Sequence, residues 1–207
     1  MRFLYALLLS LTLACPLPPA WAQEDAAPSQ DPQIQEQPGT GDLAEVAPRE
    51  RLNILFSRLK RESDAEAAKA IAGEIRTVLG DSGSATIELL MRRAADAIST
   101  SQQAAAFDYL DQVIVLRPDF SEGWNLRATL HFALGNTRKS VSDIRHVLAL
   151  EPRHLGALSG LAGILMLEGR NEAALKVWES YLTLYPADRA AQDQARDLLE
   201  KLAGSRT

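Results

Sequence analysis

The chain has 207 residues, 46% of them hydrophobic and 24% charged, with a formal net charge of −5. That composition can build a core and excludes a chain disordered throughout. The negative charge gathers in residues 23–48, where Glu24, Asp25, Asp31, Glu36, Asp42 and Glu45 face no Lys or Arg. The remainder is balanced, so the basic excess that meets phosphate in nucleic-acid binders is missing and that partner class is set aside.

Residues 1–22 read as a signal peptide. Arg2 supplies a short positive region, and Phe3 to Ala14 form an apolar stretch too short to span a bilayer comfortably. Pro16, Pro18 and Pro19 break the helix ahead of Ala20-Trp21-Ala22, an A-x-A site, so cleavage is expected after Ala22. A retained anchor and lipidation at Cys15 stand as alternatives. Thr12-Leu13-Ala14-Cys15 matches a bacterial lipobox only at Ala14. Cleavage after Ala22 would remove Cys15, the one cysteine, and with it any disulfide, thiol or sulfur-metal chemistry.

Residues 23–48, rich in Pro, Gln and acid, bury too little to offset their ordering entropy and are expected to form a disordered tether. Helical periodicity begins at Arg49. Leu52, Leu55, Phe56 and Leu59 make one stripe, and Ala68, Ile71, Ile75, Val78 and Leu79 a second, so 49–86 reads as a helix pair. Glycines in 80–86 stop the second helix and offer Ser84 or Thr86 as the next cap.

From there the chain repeats. Pro118, Pro152 and Pro186 are spaced by 34 residues, each in a Leu-x-Pro step. In units starting at Ile87, Ser121 and Leu155, the fourth residues are Leu90, Trp124 and Leu158. The eighth are Ala94, Ala128 and Ala162, the twentieth Ala106, Ser140 and Ala174, and the twenty-fourth Leu110, Ile144 and Trp178. This pattern resembles the tetratricopeptide repeat (TPR), a 34-residue helix–turn–helix unit with a bulky residue at position 4, small ones at 8 and 20, a large one at 24 and Pro at 32. The resemblance covers 87–188 as three units (87–120, 121–154, 155–188) and implies an all-α, right-handed solenoid. Residues 49–86 lack the signature and read as a degenerate pair.

Small residues at positions 8 and 20 would let the two helices of a unit approach closely. Gly135 and Gly169 supply the left-handed turn after the first helix. Asn136 and Asn171 are expected to cap the second helix, and Asp119 with Glu122 has the spacing of a capping box. Each Leu-x-Pro reads as the last buried turn of a unit followed by its stop. Ala191, Ala195, Leu198 and Leu202 form the apolar stripe of a helix that caps the open end, within residues 189–207.

No catalytic constellation emerges, so no enzyme activity, cofactor or small-molecule substrate is expected. His131 takes an aromatic slot in a first helix and reads as packed, His146 falls on a second helix, and His154 in a loop; their spacing fits no metal site. Gly156, Gly160 and Gly163 lie inside a helix, where close packing or a shallow groove explains them better than a phosphate loop. Arg93 and Arg127, at position 7, are expected to pair with acids such as Asp108 or Asp143.

The resemblance implies a concave groove lined by first helices. Its candidate partner-binding residues are Met91 and Arg92 on the first unit, Asn125, Thr129 and Phe132 on the second, and Ser159 and Met166 on the third. A mildly apolar groove of this kind suits an extended or helical peptide. Only Asn125 matches the residues with which some relatives grip a terminal carboxylate. The expected function is a non-enzymatic scaffold of the bacterial periplasm that binds a protein or peptide partner. A lipoprotein scaffold held through Cys15 and an accessory subunit of a cell-envelope enzyme are the alternatives.

Overall fold

The computed structural model describes residues 46–204; residues 1–22, which read as a signal peptide and include Cys15, and almost all of the acidic segment lie outside them. Among the described residues there are nine helices and no strand: α1 (Pro48–Arg61), α2 (Ala65–Gly80), α3 (Ala85–Ser99), α4 (Gln103–Leu116), α5 (Ser121–Ala133), α6 (Thr137–Leu150), α7 (Leu155–Leu167), α8 (Asn171–Leu184) and α9 (Arg189–Gly204). Consecutive helices pack in the pairs α3/α4, α5/α6 and α7/α8, and α4/α5, α6/α7 and α8/α9 join one pair to the next. The result is an all-α solenoid closed by α9, which buries Ala191, Ala195 and Leu198.

Size and backbone conformation explain the pairs. Ala94 and Ala106 are wholly buried in one cluster, as are Ala162 and Ala174 in another, so no larger side chain holds those helices apart. The turn inside each pair is the same: backbone N–H groups of Gln102, Asn136 and Arg170 reach back to the carbonyls of Ala97, His131 and Leu165 at 2.7–2.8 Å. It needs a left-handed residue one position earlier. Gly135 (φ 75°) and Gly169 (φ 71°) supply it in the second and third pairs; Ser101 (φ 58°) is forced into it in the first.

The second helices end because proline constrains the residue before it. Arg117, Glu151 and Tyr185 have φ of −139°, −138° and −132°, extended values that terminate a helix ahead of Pro118, Pro152 and Pro186. The leucine of the step is not buried as expected in the first two units, and Leu184 in the third is half-buried. Leu116 and Leu150 are exposed, and the buried contacts come from Val113, Val147 and Tyr181 three residues earlier. At the ends of α4 and α6 the leucine has rotated past the stripe that faces the core, whereas Leu184 at the end of α8 still packs against it.

The expected caps also fail. Asn136 occupies a cap position without a side-chain bond, Asn171 lies inside α8, and Ser84 caps α3 only through its backbone. The Asp119–Glu122 box does not form: Phe120 is the cap of α5, Asp119 pairs with Arg117 at 3.2 Å, and Glu122 turns toward His154. Side-chain caps come instead from Asp64, His154 and Asp188, which accept from the amides of Ala67, Ala157 and Ala191.

Helices α1 and α2 pair with each other but do not stack on α3 as α4 stacks on α5. α1 packs on α8 and α2 on α5, and Leu55, Leu59, Ala68 and Ile75 share one hydrophobic cluster with Leu158 and Trp178. The start of the array carries the reason. Where a unit has a predecessor, its third and tenth residues are buried: Gly123 and Leu130, Ala157 and Ile164. In the first unit the same places hold Leu89, 46% exposed, and Asp96, also exposed. An aspartate cannot be buried unpaired against a preceding helix, so the array begins at α3. Loop residues lock the pair in place. Arg153 Nη1 donates to Asn53 Oδ1 at 2.9 Å while its guanidinium lies 4.5 Å from the Phe56 ring centre, and Arg117 Nη1 donates to the Ser82 carbonyl at 3.0 Å.

Candidate functional site: a trough across α5 and α7

Two hollows run together along the first helices of the second and third units. One, of about 320 Å³, lies between α5 and α7 above Ala128, Ile144 and Ile164. Its rims are Asn125, Thr129 and Phe132 from α5 and Ser159 and Gly163 from α7. Glycine keeps it open: a Cβ at Gly163 would meet nothing within 4 Å, and one at Gly160 would touch only Ile144 Cδ1 at 3.8 Å. Of the two explanations for these glycines, the groove is the one that holds.

The second hollow, of about 400 Å³, shares Asn125, Gly156 and Ser159 with the first and extends to the N-terminal ends of α5 and α7. Its third wall is α2, through Lys69, Ala72, Ile75 and Arg76, with Tyr181 and Tyr185 of the third unit behind.

Polar groups in this wall are tightly engaged. The Ala157 amide donates to His154 Nδ1 at 3.1 Å, so the imidazole proton sits on Nε2, which donates to Glu122 Oε1 at 3.0 Å. Asn125 Nδ2 donates to Glu122 Oε2 at 2.9 Å. Burial alone would raise the Glu122 carboxyl; the bonds from His154 and Asn125 and the nearby Arg76 charge outweigh it and hold the group below its ordinary value. Across the hollow, Tyr181 donates to Asp188 Oδ2 at 2.6 Å. Burial, then the Asp188 carboxylate, push the Tyr181 hydroxyl up.

Of the residues expected in a groove, Asn125, Thr129, Phe132 and Ser159 come together here. The trough does not include the other three. Met91 packs beside the clusters of the first unit, Arg92 is exposed on α3, and Met166 packs in the core with its sulfur 3.4 Å from the Trp178 indole nitrogen that donates to it. Sequence reasoning missed Lys69 and Arg76 altogether and gave Glu122 and His154 only local roles. Their part depends on α2 folding across the array, which no local pattern announces.

Arg127 pairs as expected with Asp143, through two bonds of 2.8 Å, and adds Asp111 at 2.6 Å. Arg93 makes no such pair with Asp108 and is exposed on α3. His131 is buried and stacks on Phe107 with ring centres 4.6 Å apart. Among the described residues no cluster of three His, Cys, Asp or Glu could hold a metal, and no helix is long and apolar enough to cross a membrane.

Paired helices of fixed period, small residues at each crossing, and an open trough along the first helices define a tetratricopeptide-type array. The chain is 57% identical over 164 residues to a TPR repeat-containing protein of Rhizobium etli, covering 79% of this chain and 80% of that one. It belongs to the TPR repeat-containing proteins. Among solved structures it is similar to the first TPR of Spaghetti (RPAP3) bound to the HSP90 peptide SRMEEVD (TM-score 0.53, 21% identity, 57% of this chain and 96% of that one). It is also similar to the TPR2B domain of yeast Sti1 in its pHsp70 complex (TM-score 0.51, 14% identity, 57% and 99%). No family model matches the chain.

Proposed function

We propose that this protein is a non-enzymatic scaffold of the bacterial periplasm that docks an extended or helical segment of a partner protein in the trough between α5 and α7. The observation that carries the reading is the glycine-lined trough itself. Backbone and apolar floor lie open over Gly160 and Gly163, with the Asn125 amide and the Ser159 hydroxyl on opposite rims. Such a surface accepts a main chain and one or two apolar side chains, the chemistry of peptide recognition. Two structural neighbours are complexes with peptides or partners of their own, which supports the kind of ligand. The compartment rests on residues 1–22, with their apolar stretch and A-x-A site.

Gly163→Leu tests the docking reading. It replaces a helix-interior glycine, so the fold should hold or gain about 0.8–1 kcal/mol, while the new side chain fills the trough. A photo-crosslinker at exposed Thr129 should trap a partner in cells expressing the parent protein and lose it in the variant. Retention of every crosslink would move the binding surface elsewhere. The mature N-terminus should be Gln23; an acylated Cys15 would instead establish the lipoprotein form.

A further inference from the structure

Two cationic side chains stand over the second hollow, with the Arg76 charge near the Glu122 carboxylate. Lys69 and Arg76 are exposed and share one face of α2, seven residues and so about 10 Å apart. Among the described residues neither forms an ion pair. The carboxylates that line the same hollow are already engaged through both oxygens. Glu122 accepts from His154 and Asn125, and Asp188 from Tyr181 and the Ala191 amide. An entering chain therefore meets two free cationic donors at the mouth, Tyr181 and Tyr185 behind them, and a way past Asn125 and Ser159 into the apolar trough. Side chains on one face of an extended chain stand about 7 Å apart at a spacing of two residues and about 13 Å at four, distances the long Lys and Arg side chains can bridge.

We infer that α2, a helix outside the repeats, completes the docking site and selects an acidic segment. That segment is an extended stretch with two Asp or Glu side chains on one face, two or four residues apart, one toward Lys69 and one toward Arg76, running on with an apolar residue between α5 and α7. The inference rests on the docking reading above and adds the class of ligand. It requires internal acidic side chains, not a free chain terminus, because the donors come from the side of the trough.

Selection from a random peptide library displayed on phage, with the full chain as bait, tests it. The parent protein should enrich Asp and Glu at a spacing of two or four next to an apolar residue. A selected peptide, resynthesised with an amidated C-terminus, should keep its affinity. Lys69→Gln/Arg76→Gln should weaken it on the order of tenfold, since each half-exposed pair contributes modestly. Lys69→Glu/Arg76→Glu should shift the enriched pool toward Lys and Arg. Both positions are exposed, so melting curves by circular dichroism should match the parent. An enriched pool with no acidic preference, or one that neither double variant alters, overturns selection by α2 and leaves docking intact. Loss of binding on amidation does the same. A library that yields no binder at all overturns the docking reading itself.

Discussion

His154 Nε2 donates to Glu122 Oε1 across 3.0 Å, tying the first turn of α7 to the first turn of α5. The same imidazole caps α7 through Nδ1, so one buried ring, 3% exposed, holds a helix end and joins two successive units. Units of a solenoid lean only on their neighbours, and a polar link between them fixes their rotation more sharply than apolar contact alone.

That link makes stability depend on acid. The Glu122 carboxyl lies below its ordinary value of 4.5 in the folded protein. A depressed carboxyl contributes stability that is full above the unfolded pKa and is lost as pH falls through the folded one. Chemical denaturation from pH 6 to pH 3 should therefore show a decline beginning near pH 4.5. Glu122→Gln should flatten part of it and lower stability at pH 7. A variant whose decline matches the parent's would place the acid sensitivity at Glu151, whose carboxyl is also depressed: burial raises it, and the bonds from Arg153 overcome that.

Ser101 carries a strained backbone where the other two units have glycine. A non-glycine residue in the left-handed region costs roughly 1–2 kcal/mol. Ser101→Gly should stabilise the protein by about 1 kcal/mol in urea denaturation, the relief being offset in part by the greater freedom of glycine in the unfolded chain.

Helix crossings tolerate growth unequally. Ala106 is wholly buried against Ala94 and Leu110, so Ala106→Leu should overpack the first pair and cost about 1–3 kcal/mol. Ala128 is also buried, but it forms part of the trough floor. Ala128→Leu has the hollow to grow into and should cost less while it diminishes docking. Equal losses from the two substitutions would show that the trough closes in solution.

Gly123 sits where α5 presses on α4. A Cβ there would lie 2.7 Å from Val113 Cγ1, and Val113 is wholly buried. Gly123→Ala gains about 1 kcal/mol of helix propensity but must push a core valine aside, so the net effect should be destabilising in the same denaturation assay.

Arg153 holds α1 by one hydrogen bond and one ring contact, and Glu151 fixes its guanidinium at 2.8 Å. Arg153→Ala should leave the global melt of α3–α9 nearly unchanged. It should speed amide exchange in α1 and α2, read by mass spectrometry, because local opening needs less than global unfolding.

The sequence by itself determined the repeating part of this protein. Contacts within and between neighbouring units recur at a fixed distance along the chain, so the small pairs such as Ala94 and Ala106, the glycines at 135 and 169, and the prolines at 118, 152 and 186 all signal in phase. Of the seven residues that this phase assigned to a groove, four line the trough between α5 and α7. Ser101 was legible in the same way, one period before Gly135, though only the backbone shows its strain. Tertiary structure decided what the period does not reach. The capping-box spacing of Asp119 and Glu122 is a local signal, and it lost because His154, thirty-two residues on, offers Glu122 a buried donor. The stripes of α1 and α2 say that each helix has an apolar face but not which surface covers it. Exposed Asp96 closes the front of the array to them, and Leu158 and Trp178 on the third unit provide the cover. That choice is between surfaces far apart along the chain, made by burial and charge, and it is what carries Lys69 and Arg76 to the mouth of the trough.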